Sequence, residues 1–177
     1  MNNNNLTIFF DLDDTLITSE GNDIKPRPFL KDLFKFVFEN FKNVGIWTAA
    51  HESWFNIVND RYLQPLIDTI NLETRSNYKF YSVFTNIDCE MVEVEDYYKI
   101  RKPLQKLWYS SLYTCNKHNT VIVDDLEETF SSNIENGILI KKFDFDNDND
   151  TELLKLISTL DQLLRHFQIH KTVYNFN

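Results

Sequence analysis

Two aspartates, Asp11 and Asp13, stand two residues apart directly after the apolar run Leu6-Thr7-Ile8-Phe9-Phe10. Carboxylates at the end of a buried strand are costly to desolvate, and two so close do not ionise together comfortably unless a cation neutralises them. A second acidic pair, Asp124-Asp125, follows another apolar run, Thr120-Val121-Ile122-Val123. Thr48 closes a third, Asn43-Val44-Gly45-Ile46-Trp47. Oxygen-only donors of this kind suit Mg²⁺, which favours carboxylate and water ligands and partners phosphate. No histidine or cysteine joins them, so zinc is not expected.

The elements that must position these groups follow from the spacing of apolar residues. The runs before Asp11, Thr48 and Asp124 are short, β-prone and uninterrupted, as strands buried on both faces are. A fourth is read at Gly137-Ile138-Leu139-Ile140. Helical spacing runs from Pro28 to Lys42 through Phe29, Leu30, Leu33, Phe34, Val37, Phe38 and Phe41, with Pro28 in the first turn. It resumes over 52–66 and again over 151–167. A further helix is expected over 101–112, with Pro103 in its first turn. Between about 68 and 98 the pattern alternates, at Tyr78–Phe84 and at Met91–Glu95. This predicts two antiparallel strands around Asn86-Ile87-Asp88, forming a small insert. Strands separated by helices imply a parallel α/β sheet with helices on both sides, and such sheets bind ligands beyond the carboxyl ends of their strands. The aspartates and Thr48 all fall at that edge.

Composition narrows the function. The 177 residues are 42% hydrophobic with 15 Phe, enough for one domain over 1–177 with its own core. Only 3 glycines occur, which excludes glycine-built phosphate cradles. A net charge of −9 makes direct nucleic-acid binding unexpected. Cys89 and Cys115 have no metal or redox spacing and are read as reduced thiols. With no signal peptide and no membrane-spanning run, the expected location is intracellular, cytoplasmic or nuclear, not secreted. The acidic stretch Asp144–Asp150 lacks the glycine and glutamate of a calcium loop and is read as a loop capping the last helix. His166 and His170 have no acidic partner beside them and are read as surface. The aromatics Tyr78, Phe80, Tyr81 and Phe84 are read as packing residues.

Asp11-Leu12-Asp13-Asp14-Thr15-Leu16 resembles motif I of the haloacid dehalogenase (HAD) superfamily, whose pattern is Asp-x-Asp-x-Thr. Thr48 resembles motif II, Lys102 motif III and Val121-Ile122-Val123-Asp124-Asp125 motif IV, in the family's order. Within the superfamily the chain resembles the FCP1/small CTD phosphatase family, also called NLI-interacting-factor-like. Arg27-Pro28, Trp47-Thr48-Ala49-Ala50, Lys102-Pro103-Leu104 and Phe145-Asp146-Asn147 with Asp150-Thr151-Glu152-Leu153 carry that likeness. Three positions depart from it: Asp14 stands for Glu, Pro103 for Asp, and Asp125 for Asn.

The resemblance implies a HAD-like Rossmannoid three-layer sandwich with a small β insert between motifs II and III. It implies a phosphoric monoester hydrolase in which Asp11 is the nucleophile and Asp13 the acid and base. Thr15 would hydrogen-bond Asp13 or else make a local turn bond, Thr48 and Ala49 would hold phosphoryl oxygens, and Lys102 would neutralise charge on Asp11 and the phosphoryl group. Mg²⁺ would be held by Asp11, Asp13 through its carbonyl, and Asp125, with Asp124 either pairing Lys102 or completing the shell. The implied partner is a phosphoserine or phosphothreonine protein, such as the RNA polymerase II tail. Lys99, Arg101, Lys102 and Lys106 are expected to gather as a basic rim. A small-molecule, nucleotide or nucleic-acid-end phosphatase of the same fold stays open, as does a binding module without catalysis.

Overall fold

The computed structural model describes residues 4–95, 97–174 and 176. In chain order, β1 (Thr7–Phe10) leads through a hairpin of β2 (Ile17–Glu20) and β3 (Asp23–Pro26) into α1 (Leu30–Asn40). Next come β4 (Asn43–Trp47), α2 (Glu52–Val58), a π turn over Asn59–Leu63 and α3 (Gln64–Thr74). Then follow β5 (Val83–Phe84), the antiparallel pair β6 (Glu90–Val94) and β7 (Tyr97–Arg101), and α4 (Gln105–Trp108). The chain continues with β8 (Thr120–Asp124), a 3₁₀ run over Glu127–Asn136, β9 (Gly137–Leu139) and α5 (Glu152–His170).

The central sheet has the order β5-β4-β1-β8-β9 and is parallel throughout. Strands here are apolar without interruption because both faces are covered, and successive side chains go to opposite faces. Ile8, Phe10, Val44, Ile46, Val121 and Val123 enter the larger core, beneath α1, α3 and α5. Phe9, Trp47 and Ile122 enter a smaller one, closed by Leu104, Leu107 and Phe130 from α4 and the 3₁₀ run. That second layer is thin and lies close. A methyl group at Gly45 would stand 2.5 Å from the Phe9 ring, and one at Gly137 would overlap the Phe130 ring.

Several expected elements are corrected. Pro28 lies outside α1: Phe29 adopts a left-handed backbone (φ 66) and the helix begins at Leu30. The helix over 52–66 extends as α2, the π turn and α3 to Thr74. The 78–84 segment does not pair with 91–95. Val83 and Phe84 instead extend the central sheet beside Ile46 and Trp47, while Glu90–Val94 pairs with Tyr97–Arg101. Alternation alone does not distinguish a hairpin arm from a segment packed on a neighbour. Tyr78 stacks on Phe38 at 5.2 Å and Phe80 meets Phe34 edge-on at 5.8 Å, so these aromatics do pack. The helix over 101–112 shrinks to one turn, because Arg101 is paired with Glu90 and the Lys102 N–H donates to the Thr129 carbonyl at 2.6 Å. Among the described residues, no helix is long and apolar enough to cross a membrane.

Candidate active site

Asp11 continues β1 by one residue, its N–H donating to the Val123 carbonyl at 2.8 Å. By the two-residue period of a strand, Asp11 shares the face of Phe9 and Asp124 that of Ile122, so both carboxylates emerge on the thin side of the sheet. Lys102 reaches them from that side, held between β7 and α4. Its ammonium bonds Asp11 Oδ1 and, at 2.6 Å, Asp124 Oδ2; all three residues are buried. The other Asp124 oxygen accepts from the Leu126 N–H at 2.9 Å. Asp124 therefore pairs with Lys102, and its carboxylate also stays within reach of those of Asp11 and Asp125.

Asp11, Asp124 and Asp125 each bring an oxygen within 4.8 Å of the others'. Three carboxylates and no nitrogen or sulfur make a donor set that fits a hard divalent cation. The Asp13 carboxyl stands outside this group and faces the β4–α2 turn. One oxygen accepts the Trp54 indole N–H at 2.7 Å and the other the Thr48 hydroxyl at 3.4 Å. Thr48 Oγ1 in turn accepts from the Ala50 N–H at 3.0 Å. Ala49, between them, is half-buried. Asp14 takes a left-handed backbone (φ 61) and pairs with Lys142 at 2.7 Å, so the chain turns sharply after Asp13.

The electrostatics follow from one buried ammonium among four carboxylates. Burial pushes Asp11 up to about 7 against the opposing pull of Lys102. Burial also raises Asp13, with the Trp54 N–H opposing, and raises Asp125, where Asp124 adds repulsion. Burial would lower Lys102, but Asp11 and Asp124 override it and hold the ammonium charged. The arrangement concentrates negative charge that a cation would relieve.

Thr15 is not bonded to Asp13; its hydroxyl donates to Asp125 Oδ1 at 3.3 Å, because the turn at Asp14 carries it across to β8. The expected basic rim is not a free cluster either, and of its members Arg101 is half-buried at the end of β7. Lys102 is buried, Lys99 pairs with Glu128 at 3.4 Å and Lys106 with Glu90 at 3.4 Å. Trp54 escaped sequence reasoning. It falls in the helical spacing of 52–66, and nothing in that pattern says where an indole N–H points. Both thiols are free.

A parallel sheet with carboxylates at its strand ends and a buried lysine across them defines a phosphatase fold of the HAD type. The chain belongs to the NLI interacting factor-like phosphatases, whose family model matches residues 6–171, and it is a phosphoric monoester hydrolase. It is 29% identical over 187 residues to a CTD phosphatase-like protein, 355R, of Invertebrate iridescent virus 6, covering 89% of this chain and 98% of that protein. It is 29% identical over 145 residues to ubiquitin-like domain-containing CTD phosphatase 1 of Xenopus tropicalis, covering 77% of this chain and 42% of that one. The chain thus spans nearly all of the viral relative and under half of the vertebrate one. Its fold is similar to that of Fcp1, an essential RNA polymerase II CTD phosphatase, with a TM-score of 0.65 at 15% identity, over 92% of this chain and 63% of that one.

Proposed function

We propose that the chain is a Mg²⁺-dependent phosphatase that works through a phosphorylated Asp11 on phosphoserine or phosphothreonine proteins of the polymerase-tail kind. The observation that carries this reading is the buried Lys102 ammonium joining Asp11 and Asp124 beside Asp125, with Asp13 held apart from them. Asp11, Asp124, Asp125 and the Asp13 carbonyl would hold Mg²⁺, which when bound offsets the carboxylate excess and draws charge from phosphoryl oxygens.

An Asp11 oxygen attacks phosphorus as the ester P–O bond breaks, and Asp13 gives its proton to the departing oxygen. Asp13, now a carboxylate, takes a proton from the water that attacks the phosphoryl group, which releases phosphate and restores Asp11. Lys102 keeps Asp11 aimed and offsets charge, while Thr48 and the Ala49 backbone hold phosphoryl oxygens. Burial raises the Asp13 carboxyl above the usual carboxylate range, a shift in the direction that its role as the acid requires. The net charge of −9, with Lys99 and Lys106 already paired to Glu128 and Glu90, favours a phosphopeptide of few charges over an oligonucleotide of many.

Matched kcat/KM values for phosphopeptides and 3′-phosphorylated oligonucleotides, with Mg²⁺ at fixed ionic strength, test this. Peptides are expected to be the better substrates. Oligonucleotides turning over as well would overturn the protein-substrate reading, and activity that survives EDTA would overturn the metal.

A further inference from the structure

We propose that Trp54 is a positioning residue for the acid: its indole N–H holds one Asp13 oxygen so that the proton rides on the other, beside Thr48. The inference rests on the reading of Asp13 as the acid given above. The two Asp13 oxygens are not equivalent. Oδ1 accepts the indole N–H at 2.7 Å, whereas Oδ2 has only the longer 3.4 Å contact with the Thr48 hydroxyl. An indole N–H donates and never accepts, so it bonds best to the carbonyl-like oxygen of a carboxylic acid and leaves the hydroxyl on its partner. Oδ2 is also the oxygen on the side of Thr48, where the phosphoryl group is expected to bind.

The mount is rigid. Trp54 sits in the first turn of α2, its backbone N–H bonded to the His51 carbonyl at 2.9 Å, and its ring packs against the larger core. His51 caps the same turn by accepting from the Ser53 N–H at 3.2 Å. Thr48 and Trp54 are thus presented by one strand-to-helix turn on either side of the same carboxyl. As the ester bond breaks, its electron pair goes to the departing oxygen, which takes the Oδ2 proton. The indole N–H then donates to a full carboxylate, a stronger bond than to the acid, so the contact tightens as the proton leaves.

The test separates this role from packing. Trp54→Phe keeps an aromatic ring and removes the donor. An aryl phosphate such as p-nitrophenyl phosphate expels a stable phenolate and needs little help from an acid, whereas a phosphoserine peptide expels an alkoxide and needs it. The ratio kcat/KM reads only the steps up to transfer onto Asp11. For Trp54→Phe it should fall at least about tenfold more on the peptide than on the aryl ester, within the roughly 10²–10⁴-fold that a positioned acid supplies. Equal losses on both substrates, or none, would overturn the role of Trp54. A wild-type chain inactive on both would instead overturn the phosphatase reading beneath it. A readout independent of turnover is the Trp54 indole N–H resonance, identified by its loss in Trp54→Phe. It should move upfield in Asp13→Ala, and a resonance that stays in place would overturn the hydrogen bond itself.

Discussion

Among the described residues, two buried ionic clusters are made of the same kinds of side chain, and they behave in opposite ways. Around Arg27, one guanidinium meets one carboxylate: Nε and Nη2 fork onto Asp150 at 2.9 and 3.0 Å. Two further donors go to the carbonyls of Thr15 and Lys141, and the Phe143 ring lies 5.2 Å below. Asp150 also accepts from the Glu152 N–H at 2.9 Å, which caps α5 and joins the acidic loop to β3–α1. Around Lys102, one ammonium meets Asp11 and Asp124, with Asp13 and Asp125 close by. Burial opposes the ionised carboxylate in both places. At Asp150 the Arg27 hydrogen bonds win and hold the group below the usual carboxylate range; at Asp11 burial wins and lifts it to about 7. A buried charge that is balanced and well hydrogen-bonded ties elements together. A buried excess of one sign makes a place that calls for a ligand.

The contrast is sharpest where one partner is removed. Asp11→Asn should cut kcat by roughly 10³-fold or more, since it deletes the nucleophile. It should leave the melting temperature unchanged or higher, because it relieves repulsion. A variant that keeps more than a few per cent of the rate would place the nucleophile elsewhere. Arg27→Met should do the reverse, stranding Asp150 and costing about 3–5 kcal/mol of stability while the folded fraction keeps its kcat. Denaturant titration beside specific activity would show it, and a loss under 1 kcal/mol would mean that the fork is not the tie described above.

Mg²⁺ should stabilise the site cluster alone, by about 2.7 kcal/mol at a hundred times its Kd. The gain should vanish in Asp11→Ala and persist when Asp150 is replaced, which thermal melts with and without the ion would check. Asp125→Asn should be milder, lowering kcat/KM less than about tenfold, because the amide oxygen still offers a ligand and two carboxylates remain. A loss as deep as that of Asp11→Asn would mean that the Asp125 charge itself is required and that an amide oxygen cannot stand in for it.

The smallest effect is acid sensitivity. The folded pKa of Asp150 lies below its unfolded value of about 3.9. Its stabilisation is therefore complete above that value and fades as pH falls through the folded one. Asp150→Asn should flatten the acid limb of a stability profile measured by denaturation, and a limb of unchanged slope would count against the low pKa.

The two clusters differ also in how far they could be read from the chain. Asp11, Asp13, Thr48, Asp124 and Asp125 were legible because parallel strands covered on both faces leave unbroken apolar runs, and polar groups at their carboxyl ends converge on one edge. Lys102 was legible only through the order of family motifs, since Lys99 and Lys106 stand beside it with the same chemistry. The Arg-Pro and Asp-Thr-Glu-Leu segments were visible as motifs, but 123 residues separate Arg27 from Asp150 and no pattern joins them. The pairing of β6 with β7, rather than of 78–84 with 91–95, likewise depends on which surface each segment meets.

Period-2 and period-3.6 spacing, with the acids at strand ends, determined four strands of the sheet, its longer helices and the edge where the chemistry gathers, because these are local consequences of burying apolar side chains. Tertiary structure alone decided which lysine lies among the carboxylates, that Thr15 bonds Asp125, that Trp54 holds Asp13, and which buried charge is balanced. Those depend on the direction of single donors across distances of a few ångströms, and hydrogen-bond energy falls steeply with angle and distance. Burial can be read from a repeating pattern; direction is settled only when the chain closes on itself.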